Sequence, residues 1–240
     1  MSHFLTLVVG TPLERLPEVM APYAMDAERV PQQFLVFGAV PANQAHHERA
    51  LAEAASGLMP AAAIAKAPVV DWYNPKARWD AYQVGGRYRG FFRVKAGCRG
   101  VLGAKARTGG EDRPNRVDFC RFGDIDMQAM QSDRAQASKE EWEYVQFLLM
   151  QDRTTPELVE FEFGILPTDT EDSFVARQVE QILLPWAVVK DGRWHERGEM
   201  PACGIASEPK SLSDWASEVE GLLGGLSATT TIAALDCERL

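Results

Sequence analysis

A chain of 240 residues, 46% of them hydrophobic, can bury a substantial core and sits near the upper size at which one domain is still the rule. Its net charge of −9 argues against bulk nucleic acid as a partner, and no window approaches the ~20 apolar residues of a membrane span. The four cysteines, Cys98, Cys120, Cys203 and Cys237, form no CxxC pair, so free thiols in a reducing, cytoplasmic compartment are expected rather than a zinc ribbon.

The opening MSHFLTLVVG has no positively charged leader segment and reads as a strand over residues 4–9. Its apolar residues occupy both faces, which predicts a central place in a sheet. Residues 34–37 predict a second strand, closed by Gly38 and Pro41. Asn43 then caps an expected helix to about residue 56. His46 and His47 within it lack the i, i+4 spacing of a metal pair and are expected on the surface.

Residues 71–75 read as a turn, because Pro75 biases Asn74 away from helical backbone. Residues 82–94 predict a strand that Gly85 and Gly86 interrupt as a bulge would. Residues 96–116, rich in Gly, Arg and Lys, are expected to be a mobile basic loop within a single domain spanning 1–240. Residues 117–122 predict a strand running into FGDIDM. A helix is expected from about Ser132 to before Thr154, with Trp142, Val145, Leu148 and Leu149 on its buried stripe.

Val159, Phe161 and Phe163 alternate with Glu160 and Glu162, which predicts a strand over residues 158–163. Thr170 or Asp172 opens a helix toward Gln181. Lys190-Asp191-Gly192-Arg193 is a hairpin turn between two strands. Ser211 or Ser213 caps a helix carrying Trp215, Val219, Leu222 and Leu223, which Gly224-Gly225 closes, and residues 229–235 form the last strand. The first and last strands are both apolar and are expected to share a sheet. The fold class is therefore α+β: one domain with a mixed, mainly antiparallel sheet containing both terminal strands and helices packed on it.

Charge is unevenly spread. Residues 76–121 carry twelve basic and four acidic side chains, a net of +8 that leaves −17 for the remainder. Such a segment can attract an anionic small molecule or an acidic protein locally. Pairing of these arginines with acidic residues of the same fold is the competing expectation.

Within that segment NPKARWDAYQVGGRYRGFF, residues 74–92, holds the ingredients of a nucleotide-like pocket. Trp79, Tyr82 and Tyr88 can stack on a base, Asp80 can bind a ribose hydroxyl or act as a base, and Arg87 can fork onto a phosphate. Gly85 and Gly86 allow close backbone approach to a ligand. The same residues also read as core aromatics, a capped turn and a bulge. Asp124 and Asp126, two apart, can hold Mg²⁺ if they lie on a strand, or end a strand and cap a helix. His195 and Glu196 are acid–base candidates that a regular strand directs to opposite faces.

Several of these stretches together, MSHFLTLVVG, NPKARWDAYQVGGRY, GDID, DGRWHERGEM and the terminal LDC, resemble a largely uncharacterised protein family of bacteriophages and of bacterial genomes in prophage-like settings. The central Trp-Asp-x-Tyr-x-x-Gly-Gly-Arg motif is its most specific part. Ala81 stands where that family's pattern has tryptophan, which removes a stacking surface, and the chain ends Cys-Glu-Arg-Leu where the pattern has Cys-His-Ile. The resemblance implies a phage or prophage accessory protein and carries no residue roles with it. The expectation is binding of an anionic, nucleotide-like ligand through Trp79, Asp80, Tyr82, Gly85, Gly86 and Arg87. The alternatives are a metal-dependent enzyme acting on a phosphate-containing substrate, with Mg²⁺ at Asp124 and Asp126 and with Asp80 or His195 catalytic, and a protein-interaction module using the basic segment.

Overall fold

In the computed structural model, residues 2–39, 70–105, 112–198 and 209–239 are described. The helix expected from Asn43, with His46 and His47, falls outside them, as do Cys203 and the centre of the basic loop.

The fold is built on β11 (Thr231–Arg239), which runs antiparallel to β1 (Ser2–Val9) along the whole of β1, from Ser2 opposite Arg239 to Val9 opposite Ile232. The first and last strands therefore share a sheet, and both are largely inaccessible because both faces are covered. Beyond β1 lie β9 (Ala187–Lys190), parallel to it, and β10 (Arg193–Glu196), antiparallel to β9. On the other side β11 pairs with β4 (Ala81–Gly86) through one half and with β8 (Phe119–Arg121) through the other. The short β6 (Ala104–Lys105) adds a parallel edge to β4. The result is a seven-stranded, mixed, mainly antiparallel sheet in an α+β fold. Asp191 and Gly192 join β9 to β10 with φ of 52° and 69°, the two left-handed residues that this two-residue hairpin needs.

Alternation along the strands supplies one core per face. Leu5, Leu7, Val9, Val188, Ile232 and Ala234 pack against Trp215, Val219 and Leu223 of an amphipathic helix. That helix, Leu212–Leu223, is capped by Ser211, which accepts from Asp214 N. On the other face Phe4, Val8, Val189 and Leu235 meet Leu16 and Met20 of α1 (Leu16–Met20), together with Tyr23, Val30 and Trp79. Two small ladders lie apart: β2 (Val36–Ala39) with β3 (Val70–Tyr73), and β5 (Phe92–Arg93) with β7 (Arg116–Val117).

Several expectations need correction. The strand expected over 82–94 is two strands in different sheets, because the chain turns over residues 87–90 once Gly85 and Gly86 take φ of 81° and 57°. The turn expected over 71–75 begins later, since Val70–Tyr73 is a strand and Asn74 anchors the turn by donating to the carbonyls of Pro22 and Ala24. The expected strand at 34–37 starts at Val36, after a 3-10 turn at Gln32–Phe34. Residues 158–163 are helical.

That helix, α3 (Pro156–Phe163), has Thr155 accepting from Leu158 N, proline in its first turn, and Gly164 at φ 65° closing it. Eight residues are too few for helical periodicity to outvote an accidental alternation, and the caps decide the outcome. The preceding helix, α2 (Met127–Met150), starts ahead of Ser132 because Asp126 caps it by accepting from Ala129 N at 3.0 Å. A capping box at Thr170 and Ser173 opens α4 (Glu171–Glu180). Val145, Val159, Ile165 and Phe174 join α2, α3 and α4 in a third, smaller core. The terminal helix Leu212–Leu223 is α5.

Candidate functional site

The six residues of the central motif are divided between the second core, the end of β4 and the surface. Trp79 is 4% exposed and stands edge-on to Tyr82 at 4.9 Å between ring centroids, inside the second core. Asp80 is fixed by its backbone, its N–H donating to Glu238 O and its carbonyl accepting from Arg29. Gly85 and Gly86 are buried, and the Arg87 side chain is exposed.

What Gly85 and Gly86 approach is a pair of carboxylates of the fold itself. A Cβ on Gly85 would lie 2.5 Å from Asp118 Oδ2, and one on Gly86 would lie 2.5 Å from Asp236 Oδ2. Asp118 is fully buried and accepts from the N–H groups of Gly90, Phe91 and Gly103 at 2.6, 3.1 and 2.9 Å. Burial pushes its carboxyl above the ordinary carboxylate value, against the pull of those three donors. Asp236 accepts from Arg87 N and lies 2.9 Å from His3 Nδ1. Three stretches distant in sequence, MSHF, GGRY and LDC, thus meet at one buried carboxylate. Tyr88 packs beside it, its hydroxyl pushed up to about 12 chiefly by burial.

The remaining sequence candidates are dispersed. Asp124 lies in a 3-10 turn and accepts from the Cys98 thiol at 3.5 Å, while Asp126 caps α2, so the two do not share a strand face. Among the described residues no three His, Cys, Asp or Glu side chains group to hold a metal ion. His195 and Glu196 point apart: His195 faces Glu218 of α5 at 3.5 Å, and Glu196 pairs with Arg78 at 2.9 Å. Cys120 and Cys237 are buried, and burial pushes both thiols up to about 12.

Half of the basic segment's arginine story is internal pairing. Arg78 meets Glu196, Arg89 meets Asp112, and Arg93 and Arg116 share Asp133 of α2. Burial disfavours ionisation of Asp133, but the Arg93 and Arg116 guanidiniums outweigh it and hold the carboxyl below its ordinary value. The turn that follows the Gly-Gly pair puts Phe91 beside Arg116, whose Nη1 donates to Phe91 O at 3.3 Å.

Along this seam two cavities of about 470 and 480 Å³ share Arg113, Arg116, Asp133 and Ala137, forming one groove on α2. The first lobe has Phe91, Met130, Ile182 and Leu184 as an apolar floor, with Gln178, Gln181 and Arg134 at its rim. The second adds Arg93, Pro114, Gln136 and Glu140 to the shared wall. Arg134 donates to Gln178 Oε1 and lies 3.8 Å from Glu141. Arg113 is exposed, lines both lobes, and has no ion pair among the described residues. An apolar floor under convergent cations and amides is suited to a flat ligand bearing an anionic group.

A third cavity of about 630 Å³ lies between residues 12–14 and 99–101 and is lined by Arg99, Arg121, Glu14 and Asp124 among others. In the sequence Arg113 and Arg116 stand out only as charge, and Asp133, Arg134, Gln178 and Gln181 belong to no motif. The spacing of Gln178 and Gln181 by three on an amphipathic helix was the available signal. Comparison with family models, curated proteins and solved structures found no match.

Proposed function

We propose that this chain is a phage- or prophage-type accessory protein that binds an anionic, nucleotide-like ligand, and that it does so in the groove between Arg113, Arg116 and α2. Arg113 carries the reading: a guanidinium that lines both lobes without a counter-ion among the described residues supplies a charge for which a ligand can compete. The Trp79–Arg87 motif then serves as the scaffold. Its glycines let the chain fold over Asp118 and Asp236, and that turn delivers Phe91 to the groove floor.

The groove chemistry favours binding over turnover. Its titratable side chains among the described residues are arginines and two carboxylates, and one of these, Asp133, is held ionised by the two arginines that pair with it. The metal-dependent alternative rests on Asp124 and Asp126, whose side chains are engaged by Cys98 and by the α2 N-terminus. Calorimetric titration of adenosine monophosphate into the wild type and into Arg113→Ala tests the proposal. Loss of Arg113 is expected to weaken binding by about 1.5–3 kcal/mol, and equal affinity for the two proteins would remove the groove from consideration.

A further inference from the structure

The two lobes differ in a way that selects among anions. The first lobe offers the apolar floor and the two glutamines, so the flat part of a ligand belongs there, and its nearest anionic group falls at the shared wall of Arg113 and Arg116. Anything extending past that wall enters the second lobe. There Arg93 is already held by Asp133 at 2.6 Å, and Glu140 faces the same space while accepting from Gln136 at 2.8 Å. Over the whole groove Arg93, Arg113, Arg116 and Arg134 stand against Asp133 and Glu140, an excess of two positive charges.

Resting on the anion-binding reading above, we infer that the groove takes a phosphate monoester on a flat apolar group, a nucleoside monophosphate by chemistry, and discriminates against di- and triphosphates. A monoester brings a charge of about −2 near neutral pH, which matches the excess. The β- and γ-phosphates of a longer ligand would pass the shared wall, where the Asp133 carboxylate already occupies Arg93 and Arg116, and enter the lobe of Glu140, where like charges at short range repel. Asp133 thereby acts as a specificity-determining residue. It orients Arg116 toward the shared wall and fills, with its own carboxylate, the anion seat that a second phosphate needs.

The experiment is competition among adenosine mono-, di- and triphosphate and inorganic phosphate for the full chain, without divalent cations and at low ionic strength, repeated on Asp133→Asn and Glu140→Gln. Glu140 is exposed, so its substitution leaves folding intact even if Asp133→Asn does not. The wild type is expected to prefer the monophosphate over the triphosphate by about tenfold, and each variant to bring that ratio down by about threefold or more. Triphosphate binding as tight as monophosphate, or a ratio unmoved in Glu140→Gln and in a folded Asp133→Asn, overturns the selectivity. Failure of all four anions to bind overturns the anion-binding reading itself.

Discussion

Gly86 lies so close to Asp236 that a side-chain carbon at position 86 would sit 2.5 Å from both the Cβ and Oδ2 of that aspartate, with the backbone already at φ 57°. The contact ties the end of β4 to the middle of β11 and leaves Asp236 free to receive Arg87 N at 2.9 Å. Gly86→Ala is therefore expected to cost about 3 kcal/mol or more, from left-handed strain and from displacement of a buried carboxylate. Gly97 has φ 82° but nothing within 4 Å, so Gly97→Ala should cost only the strain, about 1 kcal/mol. Urea unfolding of the two variants separates the terms, and equal losses would mean that the Asp236 contact adds nothing.

Asp118 holds the turn on its other side. Oδ1 accepts from Gly90 N and Phe91 N, and Oδ2 accepts from Gly103 N. In Asp118→Asn an amide N–H₂ must face at least one of those donors, at a cost of about 1–3 kcal/mol. The same change frees Phe91, so a measured loss of ligand affinity should accompany the loss of stability.

Phe174 is fully buried, with the Trp142 ring 6.0 Å away. Truncation to alanine is expected to cost about 3–5 kcal/mol. Because α4 and the residues just beyond it carry Gln178, Gln181 and Ile182 of the groove wall, the surviving folded fraction should also bind its ligand less well. Chemical denaturation and calorimetry on the same preparation read both effects.

Asp169 receives Arg177 through both terminal guanidinium nitrogens, Nη1 and Nη2, at 2.8 and 2.6 Å, and its side chain is 6% exposed. The Arg177 hydrogen bonds hold its carboxyl below the ordinary value of 3.8 despite burial. A carboxyl lowered on folding stabilises fully above the unfolded value, and that contribution is lost as pH falls through the folded one. Asp118, raised by burial, acts in the opposite sense, its contribution fading as pH rises past its unfolded value. Asp169→Asn is expected to lower stability at neutral pH and to flatten its fall below pH 3.8, as read from unfolding midpoints across that range.

Strong local chemistry was legible in the sequence. The Asp191-Gly192 hairpin stands where the residues put it, Thr170 and Ser211 are each one of two caps that the residues offered, and the apolar character of both terminal strands predicted their shared sheet. Short elements were not legible: α3 was hidden by the alternation of Val159, Phe161 and Phe163, and the end of β4 by a Gly-Gly pair that looked like a bulge. The Gly-Gly signal was real, but its cause was remote, since Asp118 and Asp236 lie 33 and 150 residues beyond Gly85 and Gly86. The groove was hidden for the same reason. Its parts come from the 113–116 turn, from α2 and from the C-terminal end of α4, and only tertiary packing makes them neighbours.

The most direct test of the ligand site is a ¹H–¹⁵N spectrum of the full chain titrated with adenosine monophosphate. The account predicts shifts concentrated at Phe91, Arg113, Arg116, Arg134, Gln178 and Gln181. Shifts centred on Trp79, Asp80, Tyr82 and Arg87, or no shifts at saturating ligand, would contradict it.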